Sequence, residues 1–274
     1  MKLLIAVDME GATGVVCWDH VDPGKPEYQR FRRLLTADVN AAVEGALEAG
    51  ATEIQVSDGH WNGANLLIEE LHPRVRLNTG SPSPLSMVQG AQDGIDAVFF
   101  VGYHARAGTL HAILDHTWSA VRVINVSING RLAGETALNA AVCGHFGAPV
   151  LLVTGDQAVA AEAQDWLPGV ETAIVKTASG RFAAQCLPPA QTGPLIRDAA
   201  RRAVQRFLAG TGPSPLRVAQ PVTLRIEFSA SHMGDTAGML PGAVRLDGRT
   251  IECQAADMPA AYLQFRAAAE LAST

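Results

Sequence analysis

Lys2-Leu3-Leu4-Ile5-Ala6-Val7-Asp8-Met9-Glu10-Gly11 opens this chain with an apolar run that does not alternate and is stopped by an acid. Such a run marks a strand buried on both faces, the pattern of a parallel sheet covered by helices on each side. It is too short for a membrane span or a secretory hydrophobic region, so a cytoplasmic protein with no membrane partner is expected. Asp8 and Glu10 stand two apart where the strand ends, so their side chains leave the same face, and Gly11 permits a tight turn behind them.

Working outward, short apolar runs alternate with helical spacing, the signature of βα units. Residues 27–49 carry Phe31, Leu34, Leu35, Val39, Ala42, Val43 and Leu47 at intervals of three and four, and Gly50 ends that helix. Strands are expected at 52–57 and 96–101, with a short helix at 64–71 between them. Residues 121–128 then run into Asn129-Gly130, a strong hairpin signal. Beyond it come a helix at 136–146, a strand at 149–154, a helix at 157–166, a strand at 171–176 and a long helix at 189–208. Gly210-Thr211-Gly212-Pro213-Ser214-Pro215 reads as a linker. After it, strands at 222–228 and within 243–253 precede a terminal helix at 258–271. The expected class is therefore α/β, a mostly parallel sheet flanked by helices with a smaller C-terminal α+β subdomain. The division would place a metal-binding catalytic domain at 1–210 and the small subdomain at 211–274.

Composition narrows the function. The 274 residues are 48% hydrophobic and 18% charged, with a formal net charge of -6, an ordinary globular balance long enough for a deep core. An acidic chain without a Lys/Arg run lacks the basic footprint of a nucleic-acid binder. Cys17, Cys143, Cys186 and Cys253 form no C-x-x-C pair and read as free thiols. No phosphate-binding loop, dinucleotide fingerprint, G-x-S-x-G elbow or H-E-x-x-H is present.

The chemistry gathers at strand ends. The second strand runs out into Ser57-Asp58-Gly59-His60 and the third into Gly102-Tyr103-His104. In open parallel sheets such exits converge at one edge, where ligands bind. Each residue has a plainer reading alone: an acid capping the next segment, a hydrogen-bonded structural histidine, or, for Glu135 after Gly134, a first-turn glutamate complementing a helix dipole. An acid-x-acid pair also serves magnesium and phosphate sites. Taken together, Asp8, Glu10, His60, His104 and Glu135 make an oxygen and nitrogen donor set suited to zinc, with enough ligands for two ions, the arrangement that serves hydrolysis. His116, with His111 close by, lies in the loop after the third strand and is either a solvated residue or an acid–base group beside the metals. Another metal amidohydrolase, or a non-catalytic metal-dependent binder of small molecules, would use the same residues.

The strings Val7-Asp8-Met9-Glu10-Gly11, Ser57-Asp58-Gly59-His60, Gly102-Tyr103-His104-Ala105-Arg106-Ala107 and Gly134-Glu135 resemble the zinc D-aminopeptidases of bacterial dipeptide-transport operons. The likeness extends to Leu71-His72-Pro73, Ser86-Met87-Val88, Gly155-Asp156 and Gln254-Ala255-Ala256-Asp257-Met258, so it runs the whole chain. It implies two zinc ions per subunit, with Asp8 bridging, Glu10 and His104 completing one ion, and His60 and Glu135 the other. It implies His116 as the catalytic histidine, with His111 the alternative because this loop is one residue longer than the family pattern. It further implies short peptides with an N-terminal D-residue such as D-alanine as substrates, and a homo-oligomer, a decameric ring. The apolar hairpin at 121–131 and the edge strands after residue 215 are expected to supply interface surface.

Overall fold

The computed structural model describes residues 1–273. From the N-terminus, β1 (Lys2–Val7) is followed by α1 (Tyr28–Glu48), β2 (Glu53–Asp58), β3 (Val75–Asn78) and β4 (Ala97–Val101). A hairpin of β5 (Val123–Ile128) and β6 (Arg131–Leu132) leads to α2 (Glu135–His145), β7 (Val150–Asp156), α3 (Gln157–Trp166), β8 (Glu171–Gly180), β9 (Ala183–Cys186) and α4 (Pro189–Leu208). The last elements are β10 (Val222–Phe228), α5 (Ser231–Ala237), β11 (Val244–Arg245), β12 (Thr250–Ala255) and α6 (Met258–Leu271).

The fold is α/β. A seven-stranded sheet in the order β3-β2-β1-β4-β7-β8-β9 is parallel except at its β8–β9 edge. The unbroken apolar run of β1 is explained by burial on both faces. Leu3, Ile5 and Val7 join a core with residues of α1 and α4, while Leu4 and Ala6 join a second core with residues of α2, α3 and α6. Strand pairing alternates the side chains between the two.

A second, antiparallel sheet in the order β11-β12-β10-β5-β6 lies over that second core. The hairpin expected to offer interface surface is claimed within the chain: β5 pairs with β10, and Val123, Val126 and Ile128 are buried. This sheet therefore draws strands from both sides of residue 210.

Local chemistry sets the boundaries. Gly50, at φ 109°, ends α1. The Asp156 carboxylate accepts from the Ala158 and Val159 amides to start α3, and Asp257 does the same for Ala260 in α6. Residues 64–71 form only a single 3-10 turn, Ile68–Glu70. Arg32 of α1 donates to the carbonyls of Ala64, Asn65 and Leu66, the acceptors a helix there would need. The short strands β3 and β9 and the seven-residue α5 have no strong local pattern and form through their neighbours.

β1 lies between β2 and β4, so the chain steps to one side of β1 and then to the other. That reversal is the topological switch point, where the loops at the carboxyl ends of adjacent strands part and leave a crevice.

Candidate metal centre

The crevice is filled by the residues that the strand exits nominate. Asp8 and Glu10 follow β1, His60 follows β2, His104 follows β4, and Glu135 is the first residue of α2. All five are buried, as is His116. His111 is not among them. It is exposed, and its Nδ1 meets the Ser179 carbonyl at 2.9 Å.

Backbone packing holds the exits together. Asp8 N donates to Val101 O at 2.9 Å and Gly11 N to Gly102 O at 2.8 Å, tying the β1 exit to that of β4. Gly102, at φ 76°, is pressed against the Asp8 carbonyl, a conformation and an approach that only glycine meets without strain. The His60 loop is fixed by Asp58, whose carboxylate accepts from Asn65 N at 2.6 Å, Leu66 N at 2.8 Å and Asn65 Nδ2 at 2.7 Å. The His116 loop is fixed by Ile113 N, which donates to Asp156 Oδ2 at 2.7 Å. Leu114 and Trp118, on either side of His116, adopt left-handed conformations at φ 50° and 64°, strain of the kind held in place at functional sites. Asp58 and Asp156 stand in strings that the sequence singles out, but their loop-anchoring role has no local pattern to mark it beyond an acid at each strand exit.

The carboxylates and imidazoles converge. His60 Nδ1 lies 3.2 Å from Asp8 Oδ1 and 3.1 Å from Glu10 Oε2. His104 Nε2 lies 3.3 Å from both Asp8 Oδ2 and Glu135 Oε1. His116 stands further back, with Nε2 3.9 Å from Glu10 Oε1 and from Glu135 Oε1, and its ring stacks on that of His104 at 4.0 Å. These nearest contacts pair His60 with Glu10 and His104 with Glu135, which differs from the pairing that the resemblance implies. Donor atoms of Asp8, Glu10 and His104 all lie within 4.8 Å of one another, as do those of His104, His116 and Glu135.

The far nitrogen of each ring is engaged by a backbone carbonyl: His60 Nε2 by Val21 O at 2.9 Å, His104 Nδ1 by Ala105 O at 3.0 Å and His116 Nδ1 by Leu114 O at 2.8 Å. A carbonyl can only accept, so each far nitrogen carries a proton, and in the neutral ring the inner nitrogen turns its lone pair toward carboxylates. A lone pair facing an anion is repulsive unless a cation lies between them. This is also how metal-ligating histidines are held, with the outer N–H on a carbonyl. Asp8 Oδ2, Glu10 Oε2 and His104 Nε2 are buried without a hydrogen-bond partner, which is costly in a dry interior. The donor set thus fits a cation of the zinc type, which takes imidazole nitrogen and carboxylate oxygen.

Electrostatics point the same way. Burial alone would raise the Asp8 carboxyl, but contacts with His104 and His60 outweigh it and hold Asp8 well below the usual carboxylate range. Burial opposes charge on His60 and His104 too, yet Glu10 and Asp8 around the first, and Glu135 and Asp8 around the second, push both well above the ordinary imidazole value. Protons and cations therefore compete for the same inner nitrogens. Burial, and then the neighbouring His104, lower His116, so it is the imidazole that stays neutral.

Residues 1–267 match the model of the M55 peptidase family, described as D-aminopeptidase. A D-aminopeptidase of Bacillus subtilis (strain 168) is 38% identical over 273 residues, covering 99% of this chain and 98% of that one. A solved structure described as the Zn-dependent D-aminopeptidase DppA from Bacillus subtilis, a self-compartmentalizing protease, superposes with a TM-score of 0.95 at 38% identity, covering 99% of this chain and 98% of its own. With the fold and the length both matched, this chain belongs to the M55 family of D-aminopeptidases and is a hydrolase, a metallo-aminopeptidase.

Proposed function

We propose that the protein is a zinc-dependent aminopeptidase that removes an N-terminal D-residue such as D-alanine from short peptides. Two zinc ions per subunit would be held by Asp8, Glu10, His60, His104 and Glu135, with His116 as the catalytic histidine. The observation that carries this reading is the set of three imidazoles whose outer N–H groups are all committed to carbonyls while their inner nitrogens face buried carboxylates.

Asp8 has one oxygen toward His60 and the other toward His104, so it would help to hold both ions. Glu10 and His60 would complete one position, and His104 and Glu135 the other. The bound ions would supply Lewis-acid polarisation of the scissile carbonyl. His116 Nε2, neutral and set back from the ligand atoms, can take a proton from the attacking water and return it to the leaving amine. Its Nδ1 hydrogen bond to Leu114 O keeps that tautomer and orientation. All six residues lie within 1–210, which we assign as the catalytic unit, with 211–274 as an accessory one.

The self-compartmentalizing character of the similar protein supports a homo-oligomer here, and a decamer is proposed. Trp61, Leu110, Val121 and Met239 expose large apolar side chains that assembly would cover. No helix among the described residues is long and apolar enough to cross a membrane; a cytoplasmic location is proposed.

Purified protein should release the N-terminal residue from D-alanyl dipeptides far faster than from their L-alanyl counterparts. Chelation should abolish the release, zinc should restore it, and elemental analysis should find about two zinc ions per chain. Equal rates on both enantiomers would remove the substrate assignment. Activity unaffected by exhaustive chelation would remove the metal site.

A further inference from the structure

Glu10 sits in a loop that leaves β1 and crosses the end of β4, where Gly11 N meets Gly102 O. Its carboxylate points into the site, but its backbone carbonyl is held from elsewhere. Lys176 lies on β8, three strands away from β1 in the sheet, and is fully buried. Its Nζ donates to Glu10 O at 2.7 Å, Ala12 O at 2.8 Å and Val15 O at 2.7 Å. An ammonium has three N–H donors and no acceptor. All three are spent on this one loop.

A second buried group grips the same segment. Asp38 of α1 accepts from Thr13 N and Thr13 Oγ1, each at 2.8 Å, and Thr13 Oγ1 also meets Thr192 Oγ1 of α4 at 2.9 Å. The loop is therefore tied to β8, α1 and α4 through protein groups alone. Burying a lysine carries a large desolvation cost, and here that cost is offset by hydrogen bonds to three carbonyls and not by an ion pair in contact with the ammonium.

We propose that Lys176 is a positioning residue that presets Glu10 for metal binding, gripping the carbonyls of Glu10, Ala12 and Val15 so that the carboxylate is in place before a cation arrives. It touches neither substrate nor cation and acts through the loop. The inference rests on the metal-site reading above.

Hydrogen exchange of the wild-type protein, zinc-loaded and after chelation, tests the preset state. The amides of Gly11, Ala12, Thr13 and Val15 should keep protection within about tenfold on zinc removal, as expected of a clamp whose opening is set by the protein's own packing. Free exchange of those amides in the stripped protein would show that zinc holds the loop, and would overturn the proposal. Lys176→Met, close in length but without donors, should bind zinc about 10- to 100-fold more weakly, the usual effect of losing an outer partner of a metal ligand, while its circular dichroism stays that of the wild type. A folded Lys176→Met with wild-type zinc affinity and only a lower melting temperature would reduce the residue to a structural one. Should that variant fail to fold, the exchange experiment on the wild type still decides. Wild-type protein that takes up no zinc at all would overturn the site reading and this inference with it, whereas an unchanged variant beside a zinc-binding wild type overturns only the inference.

Discussion

Replacing His116 by alanine should separate catalysis from metal binding at the proposed centre. His116 Nε2 stands 3.9 Å from the nearest carboxylate oxygens, against 3.1 to 3.3 Å for the inner nitrogens of His60 and His104. In the proposed mechanism the set-back imidazole would carry out proton transfer, whose loss costs about 10²- to 10⁴-fold in rate, or about 3 to 5 kcal/mol in the barrier at 1.36 kcal/mol per decade. His116→Ala should therefore lose that much kcat and keep the wild-type zinc content. Steady-state kinetics on a D-alanyl dipeptide and elemental analysis of the same preparation read both quantities. The wild type should also show an acid limb in kcat/KM. Because burial and His104 lower the His116 value, that limb should lie below the ordinary imidazole pKa of 6.5, with activity falling as pH drops and His116 takes up its proton. Loss of one zinc per chain would refute the assignment and make His116 a ligand, a role its 4.8 Å grouping with His104 and Glu135 permits. Near-normal turnover of His116→Ala beside an inactive His111→Ala would refute it differently, since His111 is exposed and bonded to Ser179 O.

Three further outcomes follow from the packing. Asp38 is buried, and burial raises it from 3.8 to about 6 despite its hydrogen bonds from Thr13. An acid raised in the folded state holds its proton there when the unfolded chain has lost it. The stability of the wild type relative to Asp38→Asn should therefore rise by up to about 3 kcal/mol as pH falls from 7 to 4, and a flat difference in denaturation midpoints would contradict this. Gly102→Ala would force a left-handed alanine, at about 1–2 kcal/mol, and bring its Cβ to 3.1 Å from Asp8 C and 3.2 Å from Leu35 Cδ1, beside the Asp8 carbonyl oxygen. Overpacking adds about 1–3 kcal/mol, so calorimetry should show a melting temperature lower by several degrees, with zinc content reduced because Asp8 is displaced. Light scattering at micromolar concentration should give a mass near ten times 28.8 kDa; a monomer would end the assembly proposal and leave the metal chemistry standing.

Periodicity made the backbone legible where an element carries its own pattern. The helices at 157–166, 189–208 and 258–271 and the strand at 222–228 match the expected bounds, because amphipathic spacing, capping acids and prolines are local properties. The 64–71 helix gave way to a 3-10 turn because Arg32, distant in sequence, takes its carbonyls. The hairpin at 121–131 was legible as a hairpin, but not its partner. Only the folded chain brings β10 alongside β5.

The proposed metal centre divides along the same line. Acids and histidines at successive strand exits can be picked out from the sequence, since a parallel sheet sends those exits to one edge. Their pairing cannot, because it depends on which way each side chain turns after its strand ends. Folding sets His60 against Glu10 and His104 against Glu135, and seats His116 behind them while leaving His111 on the surface. Lys176 was a lysine at the end of an expected strand, with nothing in its neighbours to mark it. Its three hydrogen bonds reach a loop more than 160 residues earlier in the chain, and contacts of that range exist only after the sheet has assembled.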